Sequence, residues 1–354
     1  MRVQRVGAGP LFPDDGPLGE RLARRAKGLG IEIGGFVVLT LLFPLVLAGA
    51  AVADLVLWIV RRKPWTGVRL AAFAWWFLFA EMRALVSLAA IYVSTGGPLG
   101  RGSLRRRRLI YDLRVHWCRS HLAGIRRLFG VTIEVEGIEH AAPGPVLIFI
   151  RHASIIDNTL PDALAGHAHG LGLRFVLKRE LQMLPVFDIG ARWVPTNFVR
   201  RASGDTEAEV DKLRRLAYDL GPDEAVLLYP EGTRFTPEKL ARAQEVIAER
   251  QPHVAALAAR LRNVLPPRLG GPLALLDEAR GVDVVFCAHS GLDGFQYISD
   301  IWRGGLVGAK VRVGYWRVPA ADIPAGEPEL TAWLYAQWQA VDDWVGAHQR
   351  HSAG

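Results

Sequence analysis

The sequence predicts an α/β fold with a mostly parallel central sheet flanked by helices, preceded by an N-terminal hydrophobic two-helix membrane hairpin. Three observations lead there. Beyond residue 130, short apolar runs alternate with polar helical stretches, the pattern of a sheet covered on both faces. Before it stand two hydrophobic blocks of membrane-spanning length. Charge separates the two parts: residues 1–130 hold 20 of the 43 Lys and Arg but only seven of the 35 Asp and Glu. Excess basicity beside the most apolar segments points to anionic lipid headgroups as partners, and away from nucleic acid. Part of it is compositional, since Arg outnumbers Lys by 37 to 6.

Residues 1–29 read as a loose leader, rich in Gly, Pro and Asp up to residue 20 and basic from Arg21 to Lys27. Residues 30–95 read as the hairpin. Its first arm contains 21 uncharged residues, Ile33 to Ala53, then Asp54, Leu55–Val60 and the basic tip Arg61-Arg62-Lys63-Pro64. A secretory signal peptide is the alternative for this arm, but the apolar run is too long and continues through Trp58 and Val60. The second arm, Leu70 to Val93, is interrupted by Glu81 and Arg83. Charges at that depth are costly unless paired, so this arm should lie shallow or pack on the first. Basic residues flank every end of the hairpin, and its orientation cannot be read from them.

Residues 96–130 read as a basic amphipathic linker helix. Arg105–Arg108, Arg114, Arg119, Arg126 and Arg127 interleave with Leu109, Leu113, Trp117, Leu122, Ile125 and Phe129. The favoured expectation is a helix lying on an anionic surface; the other is a linker helix packed on the domain. Residues 131–354 form the α/β domain. Its expected strands are Val131–Glu136, Val146–Ile150, Leu173–Leu177, Trp193–Val199, Ala225–Tyr229, Val284–Ala288 and Val311–Val318, with helices over Asp205–Leu220 and Pro237–Arg250. Leu330, Leu334, Trp338, Val341 and Val345 recur at helix spacing and predict a docking helix. Cys118 and Cys287 are too few and too far apart for a disulfide framework or zinc site, which favours a reducing, cytoplasmic side for the domain.

Two strand ends carry chemistry. Arg151-His152-Ala153-Ser154-Ile155-Ile156-Asp157-Asn158 follows the apolar strand ending at Ile150, where α/β sheets gather ligands. Five residues along an ideal helix turn through about 500°, which would point His152 and Asp157 apart. They meet only if His152 precedes the helix and Asp157 lies in its first turn, with Ser154 as N-cap. A neutral imidazole can take a hydroxyl proton, and a carboxylate on its other nitrogen fixes the tautomer. The bland reading is a capping box between Ser154 and Asp157, with His152 incidental. The second motif, Tyr229-Pro230-Glu231-Gly232-Thr233-Arg234, offers a tight turn at Gly232, a hydroxyl at Thr233 and a planar guanidinium suited to phosphate at Arg234. Alone it would be a surface turn; with the first motif it describes a site.

The His-x4-Asp and Glu-Gly-Thr-Arg pair resembles the glycerophospholipid acyltransferases of the lysophosphatidic acid acyltransferase family. Leu177-Lys178-Arg179-Glu180-Leu181 with Pro185, and Phe198-Val199-Arg200-Arg201, look like the family's intervening blocks. Asn263–Leu269 and Trp316–Pro324 are similar to the eukaryote-type branch that includes lysocardiolipin acyltransferases. The resemblance covers roughly Val131 to Val345, so 131–354 would be an acyltransferase domain.

It implies that His152 is the general base and Asp157 its orienting partner. It also implies that Glu231, Gly232, Thr233 and Arg234 shape the acceptor phosphate site, with Arg200 and Lys178 contributing charge. Neither metal nor cofactor is implied; acyl-CoA or acyl carrier protein is the co-substrate, and the substrate hydroxyl attacks directly without an acyl-enzyme. Backbone N–H groups at the helix start after His152 are the candidate oxyanion donors. The expected reaction is acylation of lysophosphatidic acid to phosphatidic acid at a membrane, with the catalytic domain on the cytoplasmic side. The alternatives are another lysophospholipid or glycolipid acceptor, or a catalytically silent lipid-binding membrane protein. A hydrolase is disfavoured, because no Gly-x-Ser-x-Gly elbow occurs. Two departures stand out. Arg151 occupies a position where Asn is common, which would alter the charge of the pocket. The two C-terminal hydrophobic helices of many eukaryote-type members are missing, leaving anchorage to the N-terminal hairpin.

Overall fold

The computed structural model describes residues 5–12, 14, 16–199, 206–295, 298–302 and 305–350. Seven strands form one sheet: β1 (Thr132–Glu136), β2 (Val146–Ile150), β3 (Gly172–Lys178), β4 (Thr196–Val199), β5 (Glu224–Leu228), β6 (Asp283–Ser290) and β7 (Lys310–Val318). Their order is β1-β7-β6-β2-β5-β3-β4. Every neighbouring pair is parallel except β6 and β7. All seven fall on the runs expected from sequence, with one shortened. The strand expected from Trp193 begins only at Thr196, after a 3-10 turn over Ala191–Trp193 and Pro195, which has no N–H to give a ladder.

Central strands β2 and β5 are buried at every position, which explains their uninterrupted apolar sequence: a parallel sheet is covered on both faces. One core lies under the first helices and contains Ile148, Ile150, Phe175 and Leu227. The other contains Leu147, Phe149, Val226 and Trp338 and is closed by the last helix, Glu327–Arg350.

Three long helices build the N-terminal part: α1 (Leu18–Arg61), α2 (Thr66–Ser94) and α3 (Leu104–Phe129). α1 and α2 are long and apolar enough to cross a membrane, and the most hydropathic window of α1 is wholly unburied. The charges that interrupt the hairpin have structural uses. The Asp54 carboxylate accepts from the Gly67 and Val68 N–H groups (2.9 and 2.8 Å), capping the start of α2. Glu81 is fully buried and accepts from Trp117 Nε1 at 2.7 Å, with His121 Nε2 at 3.1 Å. This pins α2 to α3, so the second arm is packed as well as apolar.

Two expectations are corrected. α3 is the packed linker and not a surface-lying amphipath: Arg106, Arg107, Tyr111, Trp117 and Phe129 are all buried, and Arg114 pairs with Asp162 at 2.9 Å. Arg106, Arg107 and Arg114 are spent on partners inside the protein, while Arg105, Arg119, Arg126 and Arg127 stay exposed. Nor is the leader loose. α1 already begins at Leu18, and residues 5–12 form a strap docked beneath the sheet. Arg107 donates to the carbonyls of Gly7, Ala8 and Gly9 (2.5, 3.0 and 2.9 Å), while the Ala8 N–H reaches Asp219 and the Gly7 N–H reaches Glu224. Sequence periodicity could not reveal this, because the contacts are main-chain carbonyls some hundred residues away. Arg107→Ala should release the strap. The expected cost is about 2–4 kcal/mol in urea unfolding, the scale of several lost charge-assisted bonds, with new proteolysis near residue 10.

Candidate active site

Strands β2 and β5 are neighbours, with Phe149 opposite Leu228, so the two motifs leave the sheet side by side. The Tyr229 ring lies 4.4 Å from that of His152, and the Phe235 N–H donates to the His152 carbonyl at 2.7 Å. The second motif thus folds across the first.

His152 precedes any helix, and Asp157 opens a 3-10 turn, Asp157–Thr159. That start solves the angular problem: His152 Nδ1 is 3.1 Å from Asp157 Oδ2. The same oxygen accepts from the Ala153 and Ser154 N–H groups at 2.6 and 2.8 Å. The two sequence readings are therefore both present. Asp157 reaches back to Ser154 as in a capping box, and in doing so it is held against the imidazole. Ser154 Oγ accepts from the Ile156 N–H (3.1 Å) and donates to the Phe295 carbonyl (2.9 Å).

This arrangement removes the expected oxyanion donors. The N–H groups of Ala153 and Ser154 go to Asp157, that of Ile155 to the Phe295 carbonyl and that of Ile156 to Ser154.

Glu231 is turned inward and 2% exposed, with one carboxylate oxygen accepting from the His152 N–H (2.7 Å) and the other from the Leu265 N–H (2.9 Å). It fixes the backbone that carries the imidazole. Burial pushes its carboxyl up to about 7, against the pull of Arg151 and these two donors. Gly232 has φ +65°, a left-handed turn that favours glycine, and a Cβ there would also press on the Arg268 side chain at 2.9 Å. Lys239 ties the motif down through the Thr233 hydroxyl and the Arg234 carbonyl (3.4 and 2.8 Å). Its helix, Pro237–Arg250, starts with Thr236 as N-cap and Pro at N1, which explains why the turn ends there.

Arg234 and Lys178 are half-buried, and their charges bear on His152. Burial, followed by these two cations, lowers the His152 pKa, outweighing the opposing hydrogen bond and charge of Asp157. The ring is neutral at pH 7, and with Nδ1 facing Asp157 its basic nitrogen is Nε2. Burial would raise Asp157, but His289 and His152 hold it well below the usual carboxylate range. Arg200 lies outside the described residues.

Arg151 does not charge the pocket as expected. It is fully buried and donates to the carbonyls of His289 and Asn263 (both 2.9 Å) and to Asp293, away from the imidazole. Sequence reasoning missed His289, which stands 3.5 Å from Asp157 Oδ1 and has its Nε2 3.0 Å from the Arg151 carbonyl. Burial opposes its protonation, but the charge of Asp157 raises its pKa. Its position on β6, paired with β2, is a tertiary fact that no local spacing signals.

Beside the motifs opens an apolar cavity of about 490 Å³ between α2, α3 and the loops above the sheet. Ile155, Ile156 and Asn158, which flank Asp157, and Leu177, next to Lys178, line one side; Leu88, Ala191 and Val194 line another. Among the described residues, no group of three or more His, Cys, Asp or Glu is placed to hold a metal ion.

The acyltransferase family profile matches residues 132–261. A 1-acyl-sn-glycerol-3-phosphate acyltransferase gamma from Pongo abelii is 32% identical over 218 residues, covering 60% of this chain and 54% of that protein. Lysocardiolipin acyltransferase 1 from Danio rerio is 25% identical over 228 residues, covering 63% of this chain and 57% of that one. The chain thus spans little more than half the length of these curated relatives. A solved 1-acyl-sn-glycerophosphate acyltransferase from Thermotoga maritima aligns with a TM-score of 0.44 and 17% identity, over 75% of this chain and 97% of that one.

Proposed function

We propose that the chain is a glycerophospholipid acyltransferase, and that it transfers a fatty acyl group from acyl-CoA or acyl carrier protein to the free hydroxyl of lysophosphatidic acid. The observation that carries the proposal is the His152–Asp157 contact beside an apolar cavity and two cations. His152 Nε2 takes the acceptor hydroxyl proton as that oxygen attacks the thioester carbonyl carbon. The tetrahedral intermediate then collapses, the carbon–sulfur bond breaks, and the imidazolium returns its proton to the leaving thiol. Asp157 steadies the imidazolium. Arg234 and Lys178 draw the acceptor phosphate, and the cavity takes the acyl chain; its volume suits a ligand of that size. No metal or further cofactor enters this scheme. The domain works at the membrane, on its cytoplasmic side in our reading.

The direct test incubates the purified protein with acyl-CoA and a panel of lysophospholipid and glycolipid acceptors. Phosphatidic acid formation from lysophosphatidic acid, faster than acylation of neutral lysolipids, is the expected result. No turnover with any acceptor would leave the silent lipid-binding reading.

Two further results follow from the geometry. The acid limb of kcat/KM against pH should lie below the ordinary histidine value of about 6.5. Lys178→Met removes a cation that disfavours imidazolium, so it should move that limb to higher pH. An unmoved limb would separate Lys178 from the base. Ala191→Phe, on the cavity wall, should shift donor preference toward shorter acyl chains, measured as the ratio of kcat/KM for two chain lengths.

A further inference from the structure

At the other end of the hairpin, between the start of α1, the end of α2 and the segment 186–193, lies a second cleft of about 850 Å³. It adjoins the acyl cavity across Leu88 and opens on the other side of it, near the amino end of β4 and the docked strap. Its lining is amphipathic. Leu85, Leu88, Ala89 and Ile189 make an apolar floor, and Arg21, Arg25, Arg101, Arg106 and Arg192 supply cations, with Asp14 the only carboxylate among the lining residues.

Several of these guanidinium groups are held in place by groups other than a ligand. Arg25 is braced through Nε by the fully buried Asp188 (3.1 Å). Arg106 donates to Thr95 Oγ1 at 2.7 Å and lies over the stacked rings of Tyr92 and Trp193. Arg192 donates to the Phe12 carbonyl and stands 3.5 Å from Asp14. Arg21 Nε is buried with no hydrogen-bond partner among the described residues. Two carboxylates, Asp14 and Asp188, serve Arg25, Arg192 and the neighbouring Arg24, and so leave cationic charge in excess around the cleft.

The position selects the ligand. Arg25 precedes Ile33, the start of the apolar run, by eight residues, or about 12 Å along a helix. That is the depth of lipid headgroups when the apolar run lies in the hydrocarbon. Leu18 and Leu22, beside Arg21, are exposed by 62% and 54%. An occupant must therefore present a phosphate to planar guanidinium forks and an apolar body to the floor.

We propose that this cleft binds an anionic phospholipid of the bilayer, its phosphate among Arg21, Arg25 and Arg101 and its glycerol and proximal acyl segment on Leu85 and Ala89. This is a lipid site separate from the one described above, and it stands whether or not His152 acts as a base.

The test is native mass spectrometry of the full chain in detergent, titrated with phosphatidylglycerol or phosphatidylcholine. Two variants separate charge from shape. Arg21→Ala/Arg101→Ala removes two cations that take part in no ion pair among the described residues. Ala89→Trp fills the floor from an exposed helix position without changing charge. Wild-type protein should retain phosphatidylglycerol in preference to phosphatidylcholine. The double variant should weaken phosphatidylglycerol binding by about tenfold or more, the scale of a lost charge-assisted contact, and leave phosphatidylcholine binding unchanged. Ala89→Trp should weaken phosphatidylglycerol binding comparably. If Ala89→Trp keeps phosphatidylglycerol at wild-type affinity, or inorganic phosphate displaces it in the wild type as readily as the lipid itself does, the cleft is a free-anion patch and the proposal fails. Equal retention of both lipids by the wild type overturns it too. Melting temperatures of all three proteins establish that folded chains are compared.

Discussion

A His152→Ala variant should turn over about a thousandfold more slowly than the wild type, the scale of a lost general base, while keeping its fold. Among the described residues the side chain makes one hydrogen bond, to an Asp157 oxygen that two backbone N–H groups also hold, so its removal leaves that loop anchored. Unfolding should therefore change little, and the melting temperature together with the initial rate of phosphatidic acid formation checks both statements. Asp157→Asn supplies the contrast. Its amide oxygen can still accept from Ala153 and Ser154, but the amide carries no charge to stabilise an imidazolium. If the amide nitrogen instead faced His152, it would favour the wrong tautomer. Turnover should fall here as well, with a larger loss of stability than in His152→Ala, because the buried carboxylate is what the loop is folded around. Wild-type rates in His152→Ala would end the general-base proposal.

How far the sequence could be read depended on the range of the interactions involved. Strands such as Val146–Ile150 were legible because a doubly covered strand must be apolar throughout, and the helix at Pro237 because its cap and first turn are local chemistry. The His152–Asp157 approach was legible for the same reason: it is a problem of backbone angles over five residues. What escaped was set by residues brought together from far along the chain. The arginines of α3 looked like a membrane-facing stripe, yet Arg107 serves a strap at Gly7–Gly9 and Arg114 serves Asp162. Arg151 adjoins His152 in sequence, but its partners are Asn263, His289 and Asp293, all more than a hundred residues further along. His289 comes from β6, well over a hundred residues beyond the motif it supports.

The role of Glu231 is the sharpest case, because the resemblance implies a place in the acceptor phosphate site while its carboxylate accepts from two backbone N–H groups. If its carboxylate holds the His152 N–H and the Leu265 N–H, then Glu231→Gln leaves one of those buried donors facing an amide NH2, at about 1–3 kcal/mol. Glu231→Ala loses both acceptors and opens a cavity, so about 3–5 kcal/mol is expected in urea unfolding. Kinetics distinguish positioning from direct phosphate contact. A shifted His152 backbone misplaces the imidazole, and a displacement of about 1 Å can cost about a hundredfold in rate. Glu231→Gln should thus lower kcat with little change in the KM for lysophosphatidic acid. Arg234→Gln should do the reverse, raising that KM while kcat holds, because the role proposed for its charge is to draw the acceptor phosphate. A raised acceptor KM with unchanged kcat in Glu231→Gln would return this carboxylate to the substrate site and leave His152 to be positioned by Asp157 and the Phe235 N–H alone.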